Sequence, residues 1–269
     1  MKKYIFPLVI ILALCMGTIE IETAEVPIIM YHLVTENSRY IGKFGITPSE
    51  LESDLQYLKE NGYETVTIAD LISFVEDGNS LPEKPIVLTF DDGNSSDYRY
   101  LYPLLQKYEM KAVLSILGKA NDECTVLAST HGEDAKFPNL TWAQIKELSE
   151  SPLIELQNHS YDLHGKRGSG SNKGEPIETY KARLSADLQK MQQRIEEMTG
   201  EIPTTFTYPL GIISDGSEEV LQELGFTASL SCQSGMNKLS VGDTDGLYRL
   251  KRSNRPSGTH VSTLISKMK

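Results

Sequence analysis

Cysteine is scarce in this chain of 269 residues: three in all, one of them in the apolar start at Cys15. Once that start is set aside, Cys124 and Cys232 remain, too few for a disulfide framework or a thiolate cluster. They are either one disulfide in an oxidising compartment or two free thiols, and their spacing leaves both open. Basic residues are also in deficit: 26 Lys and Arg stand against 37 Asp and Glu, a formal charge of −11. Such a balance argues against nucleic acid as a partner and against polyanionic polymers. A neutral or partly cationic partner fits better. Only one apolar run is long, Tyr4 to Met16 behind Met1-Lys2-Lys3, and it is too short to span a bilayer comfortably. It reads as a signal peptide within 1–24, with cleavage after Gly17 or Ala24, or else as an uncleaved anchor. Lys2 and Lys3 cancel Glu20 and Glu22, so the remainder keeps the charge of −11. Internal repeats, heptads and low-complexity tails are missing too, so 25–269 is expected to be one domain.

What is present is an alternation of apolar strands and amphipathic helices, the pattern of a parallel α/β sheet or barrel. Val26 to Val34 reads as a buried strand carrying His32. Thr47-Pro48-Ser49-Glu50 reads as a helix start, with Thr47 as N-cap, Pro48 in the first turn and Glu50 completing a capping box. Residues 118–139 read as a long, polar, irregular insertion rimming a groove. Residues 176–199 read as a long helix.

Two segments carry chemistry. Pro85-Ile86-Val87-Leu88-Thr89-Phe90-Asp91-Asp92-Gly93 is a buried strand that ends abruptly in two acids and a glycine. The C-terminal ends of strands are where α/β folds assemble sites. Two carboxylates at one such end are costly unless a cation joins them, so a metal ligand beside a general base is one reading. A helix N-cap is the other. Ile154 to Gly165 breaks in the same way into His159 and His164, two of only five histidines. They lie five apart rather than the four that aligns two residues on a helix face, so a strand end or turn must join them. Two imidazoles and one carboxylate suit zinc, and also cobalt, nickel or iron.

Thr89-Phe90-Asp91-Asp92-Gly93, His159-Ser160 through His164, and Phe206-Thr207-Tyr208-Pro209-Leu210-Gly211, in that order, resemble the three motifs of the polysaccharide deacetylases (the NodB-homology domain, carbohydrate esterase family 4). The resemblance covers roughly 25–269. It implies a single distorted (β/α) barrel and metal-dependent removal of N-acetyl groups from cell-wall or exopolysaccharide amino sugars. It implies Asp92, His159 and His164 as metal ligands, Asp91 as base, and the N–H of Leu210 as oxyanion donor. The chain departs from the family in two places. The arginine that orients the base in most members falls here on Thr207, and the late segment Tyr248 to Pro256 has no histidine.

Met30-Tyr31-His32-Leu33-Val34 resembles the circularly permuted branch, which includes secreted poly-β-1,6-N-acetylglucosamine deacetylases. There the acid comes from the N-terminal side, which makes His32 the expected acid and Arg252 the expected replacement arginine. His260 and His131 are expected at the surface. The enzyme is expected to be secreted or surface-exposed and monomeric, touching a membrane only through an uncleaved N-terminus. The rivals are an O-acetyl esterase or small-amide hydrolase on the same fold, and a glycan-binding protein with a degraded site.

Overall fold

A computed structural model describes residues 21–131 and 137–268, so most of the segment 1–24, expected as a signal peptide or anchor, lies outside the described residues. Twelve strands run in chain order: β1 (Thr23–Val26), β2 (Ile28–Tyr31), β3 (Leu33–Val34), β4 (Gly45–Ile46), β5 (Glu64–Thr65), β6 (Pro85–Asp92), β7 (Ala112–Ile116), β8 (Ile154–Asn158), β9 (Thr205–Thr207), β10 (Ala228–Leu230), β11 (Asn237–Ser240) and β12 (Ser253–Asn254). The helices are α1 (Pro48–Glu60), α2 (Ile68–Asp77), α3 (Tyr102–Tyr108), α4 (Gly118–His131), α5 (Trp142–Ser149), α6 (Ile177–Thr199), α7 (Ser217–Glu223) and α8 (Val261–Met268). None of the described helices is long and apolar enough to cross a membrane.

The main sheet is parallel in the order β10-β9-β8-β7-β6-β2-β12, with β5 added beside β6. Its edges curl toward each other. Leu250, just before β12, donates to Ser229 O at 2.8 Å and accepts from Ser231 N at 2.9 Å at the end of β10. The distorted (β/α) barrel expected from sequence is therefore present, closed by a short bridge rather than a full strand.

Period-two alternation sorts each strand. On β6, Ile86, Leu88 and Phe90 join the core beneath α1, α3 and α5. Val87 packs inside the curl with Ile28, Val113, Ala228 and Leu230. Thr89 and Asp91 continue that inner row toward the open end. Strand phase alone thus delivers Asp91 to the interior of the barrel mouth.

The capping box at Thr47 and Glu50 is present in both halves. The stretch 26–34 is broken into β1, β2 and β3 at Pro27 and His32. Thr23 and Ala24 are strand residues, paired with Ser240 and Leu239 in an antiparallel ribbon with β11. One expectation is overturned. Residues 118–131 are not irregular but form α4, with Gly118, Asn121 and Cys124 as its buried positions. Asn121 Nδ2 donates to Leu140 O at 2.9 Å, which ties the helix down through a polar side chain.

Candidate active site

The two acids at the end of β6 would diverge on a regular strand. They do not, because Asp92 has φ 76° and Gly93 φ 62°. The left-handed turn swings both carboxylates toward one cleft, and a Cβ on Gly93 would sit 2.9 Å from Ile116 Cγ2. The turn is clamped from both sides: Asn139 Nδ2 donates to Asp92 O at 2.8 Å, and Asn94 Nδ2 to Asp91 O at 3.2 Å. The same device recurs at the other motifs, where Ser160 has φ 80° and Leu210 φ 59°. Non-glycine residues held left-handed at the ends of β6, β8 and β9 mark a site whose geometry outranks local comfort.

His159 follows β8 and is buried. Its Nδ1 lies 2.8 Å from Thr207 O. A carbonyl only accepts, so Nδ1 carries the proton and Nε2 turns its lone pair to the cleft. The turn between the two histidines is held by Asp187 of α6, which accepts from Tyr161 N at 2.8 Å and Asp162 N at 2.9 Å. This delivers His164 Nε2 to 3.2 Å from Asp92 Oδ1, while His159 Nε2 lies 3.6 Å from the same oxygen. That oxygen is buried and makes no hydrogen bond. The ligand atoms of the three residues lie within 4.8 Å of one another. Two imidazole nitrogens and a carboxylate oxygen converging without a hydrogen bond to that oxygen fit a divalent cation.

Asp91 is gripped from behind. Arg252, fully buried, donates from Nη1 to Oδ1 at 2.7 Å and from Nη2 to Oδ2 at 2.9 Å. Its side chain also donates to Thr89 Oγ1 at 3.1 Å, Ser231 O at 2.8 Å and Cys232 Sγ at 3.9 Å. Burial alone would raise the Asp91 pKa. The guanidinium and the imidazoles of His159 and His32 outweigh it and hold the carboxyl at about 2. Position 207, where most relatives of the motif would carry the arginine, holds a threonine whose hydroxyl bonds Ser115 at 2.7 Å. The arginine reaches Asp91 from the other edge of the sheet instead.

His32 leaves β2 with Nε2 4.0 Å from Asp91 Oδ2, its ring against Phe44 at 4.8 Å between centroids. Burial pulls its pKa down, against the opposing pull of Asp91 and Asp92. Leu210 is half-exposed and lines the same cavity of about 670 Å³ as His32, Asp91, Asp92, His159 and His164. Arg252 lies behind its wall. His260 stands apart, bonded to Ser262 and near Ser53 of α1. His131 caps the end of α4 against Leu127 O. Among the described residues both cysteines are free, Cys124 buried and Cys232 exposed on the cavity.

Residues 78–229 match the family described as polysaccharide deacetylase, more than half of the chain. The chain belongs to the polysaccharide deacetylase family. The poly-β-1,6-N-acetyl-D-glucosamine N-deacetylase of Escherichia coli K12 is 28% identical over 248 residues, 85% of this chain and 37% of that protein. The enzyme of that name from Staphylococcus aureus MSSA476 is 25% identical over 200 residues, 73% of this chain and 64% of that one. The chain thus spans less than two thirds of these relatives' length. Among solved structures, a de-N-acetylase from Aggregatibacter actinomycetemcomitans superposes with TM-score 0.75 at 25% identity, over 91% of this chain and 100% of that one.

Within this deacetylase frame, the structure brings all seven sequence-derived site residues around one barrel mouth. Reading the sequence missed the residues that hold them: Asn139, Asn94, Asp187 and the carbonyl of Thr207. It also missed the β3–β4 loop and Cys232 as cavity walls. Asn and Asp are common in loops, and nothing in their spacing distinguishes a clamp from a turn.

Proposed function

We propose that this protein is a metal-dependent hydrolase that removes N-acetyl groups from an amino-sugar polysaccharide built on N-acetylglucosamine. The observation that carries the reading is the pairing of two devices in one cavity: three convergent ligand atoms, and an ionised Asp91 fixed by a buried arginine. A binding module needs neither.

Asp92, His159 and His164 would hold the cation, zinc by donor set, with cobalt, nickel or iron also suited. When bound, the cation supplies polarisation of the acetyl carbonyl and acidifies a water. Asp91 takes that water's proton on Oδ2, the oxygen facing His32. Arg252 keeps Asp91 ionised and fixes its rotamer through both oxygens. His32 donates from Nε2 to the leaving amine nitrogen. The amine nitrogen must be protonated to leave, and burial, which lowers the His32 pKa, readies the imidazolium to give up its proton. The N–H of Leu210, on its strained turn, donates to the developing oxyanion.

The N-terminal apolar run and the poly-β-1,6-N-acetyl-D-glucosamine polymer named for the relatives support an extracytoplasmic site of action. Because Thr23 and Ala24 are paired in β1, we place the end of the leader before Thr23. The test is metal content of purified variants alongside turnover. His159→Ala and Asp92→Ala should lose bound metal and activity together. Asp91→Asn should keep the metal and lose about 10²- to 10⁴-fold in rate. Unchanged metal in the first two variants, or lost metal in the third, contradicts the assignment.

A further inference from the structure

The loop between β3 and β4 has no part in the reaction as derived, yet it walls the cleft. Tyr40, Lys43 and Phe44 line the same cavity as Asp91, Asp92 and His164. Tyr40 is 63% exposed and Phe44 48%, an unusual outlay of aromatic surface at the mouth of a polar cleft. The loop is held in place. Gly42 N donates to Gly45 O at 2.8 Å, Ser257 N to Gly42 O at 2.8 Å and Asn254 Nδ2 to Lys43 O at 2.7 Å. A Cβ on Gly45 would stand 2.0 Å from Tyr40 O, so the close turn requires glycine there. Side chains on such a loop are presented ready for a ligand, with little ordering left to do.

Charge adds selectivity. Lys43 Nζ lies 4.8 Å from the Phe44 ring centroid and, among the described residues, has no carboxylate within 4.0 Å. Of the charges lining the cavity, Asp91 is paired with Arg252. Asp92 is committed to a cation in the function proposed above. Lys43 is the charge left over.

We propose that this loop is a second sugar subsite, in which Tyr40 and Phe44 take the apolar face of the neighbouring ring and Lys43 disfavours a neighbour bearing a free ammonium. The proposal deepens the deacetylase reading and rests on it. Removal of one acetyl group unmasks an amine that is protonated at mildly acidic pH. The next productive register must then keep that ammonium out of the subsite, so deacetylation is dispersed along the chain rather than in runs. The net charge of −11 attracts a partly deacetylated polymer from a distance, while the subsite rejects its ammonium groups at contact.

The test uses two pentamers of N-acetylglucosamine, one fully acetylated and one with a single free amine, titrated at pH 6 into the zinc-loaded Asp91→Asn protein so that neither is consumed. With Lys43 in place, the acetylated pentamer should bind about five- to tenfold more tightly. Lys43→Gln should bring the ratio near one, and Lys43→Glu should invert it. Raising the salt from about 0.05 to 0.5 M should compress the differences. Tyr40→Ala should weaken both pentamers alike, by about fivefold. A ratio that ignores the charge at position 43 overturns the proposal, as does failure of both pentamers to bind. Acetate release by the unmutated enzyme is scored separately. Acetate with charge-blind binding rejects the subsite alone, whereas no acetate from either pentamer rejects the deacetylase reading.

Discussion

His32 Nε2 stands 4.0 Å from Asp91 Oδ2, too far for a direct hydrogen bond and close enough for one water or substrate atom beside the pair to contact both. This is the residue on which the amide specificity of the mechanism depends. His32→Ala should slow cleavage of an N-acetyl glycan by about 10²-fold or more, since an amine must be protonated to leave. An aryl acetate, whose leaving group needs little protonation, should be hurt far less. Metal content should not change. Equal losses on both substrates would make His32 a structural residue at a strand end. At this scale the side chains of the proposed site stood out because two adjacent carboxylates and two close histidines each end an apolar run. Arg252 was legible only as a replacement for an arginine missing at Thr207. Its own surroundings in the sequence, Leu250-Lys251-Arg252-Ser253, do not show which of two basic residues turns inward. The strand phase decides it: Arg252 is buried and Lys251 exposed.

Elements carry the site through buried polar joints as much as through apolar packing. Asp54 on α1 accepts from Tyr31 Oη at 3.1 Å, from Arg255 Nε at 2.7 Å and from Val261 N at 3.0 Å. One carboxylate thus joins β2, the chain after β12 and the start of α8. Arg255 lies three residues beyond Arg252 and also donates its N–H to Met30 O at 2.9 Å. The joint therefore fixes the segment that grips Asp91. Asp54→Ala leaves the buried guanidinium of Arg255 with the Pro256 carbonyl and one partly exposed carboxylate, Glu50, and should destabilise the fold by about 3 to 5 kcal/mol, read by denaturant unfolding. A loss below about 1 kcal/mol would show that the joint is not structural. Such joints explain where reading the sequence failed. Helix α4 buries Gly118, Asn121 and Cys124, so its inward face carries no large apolar side chain and its period is invisible to a hydrophobic pattern. α1 and α2, with Leu51, Leu55 and Leu58 or Ile68, Leu71, Phe74 and Val75 inward, were plain.

Among the described residues, a curled parallel sheet brings the strand ends that carry the proposed site to one mouth. The parallel direction of its strands follows from the alternation of strands and helices. The closing contact between β10 and Leu250 and the β1–β11 ribbon do not, because both join segments distant in sequence through short pairings with no pattern of their own. In the function proposed above, this mouth hydrolyses the amide of an N-acetylated sugar. The most direct measurement counts both products, acetate and free amine, from the zinc-loaded protein on an N-acetylglucosamine oligomer and on an O-acetylated glycan. Acetate and amine released in equal amounts from the first, with far slower release from the second, is the predicted result. Acetate from the O-acetylated glycan alone, with no free amine from the oligomer, would contradict it.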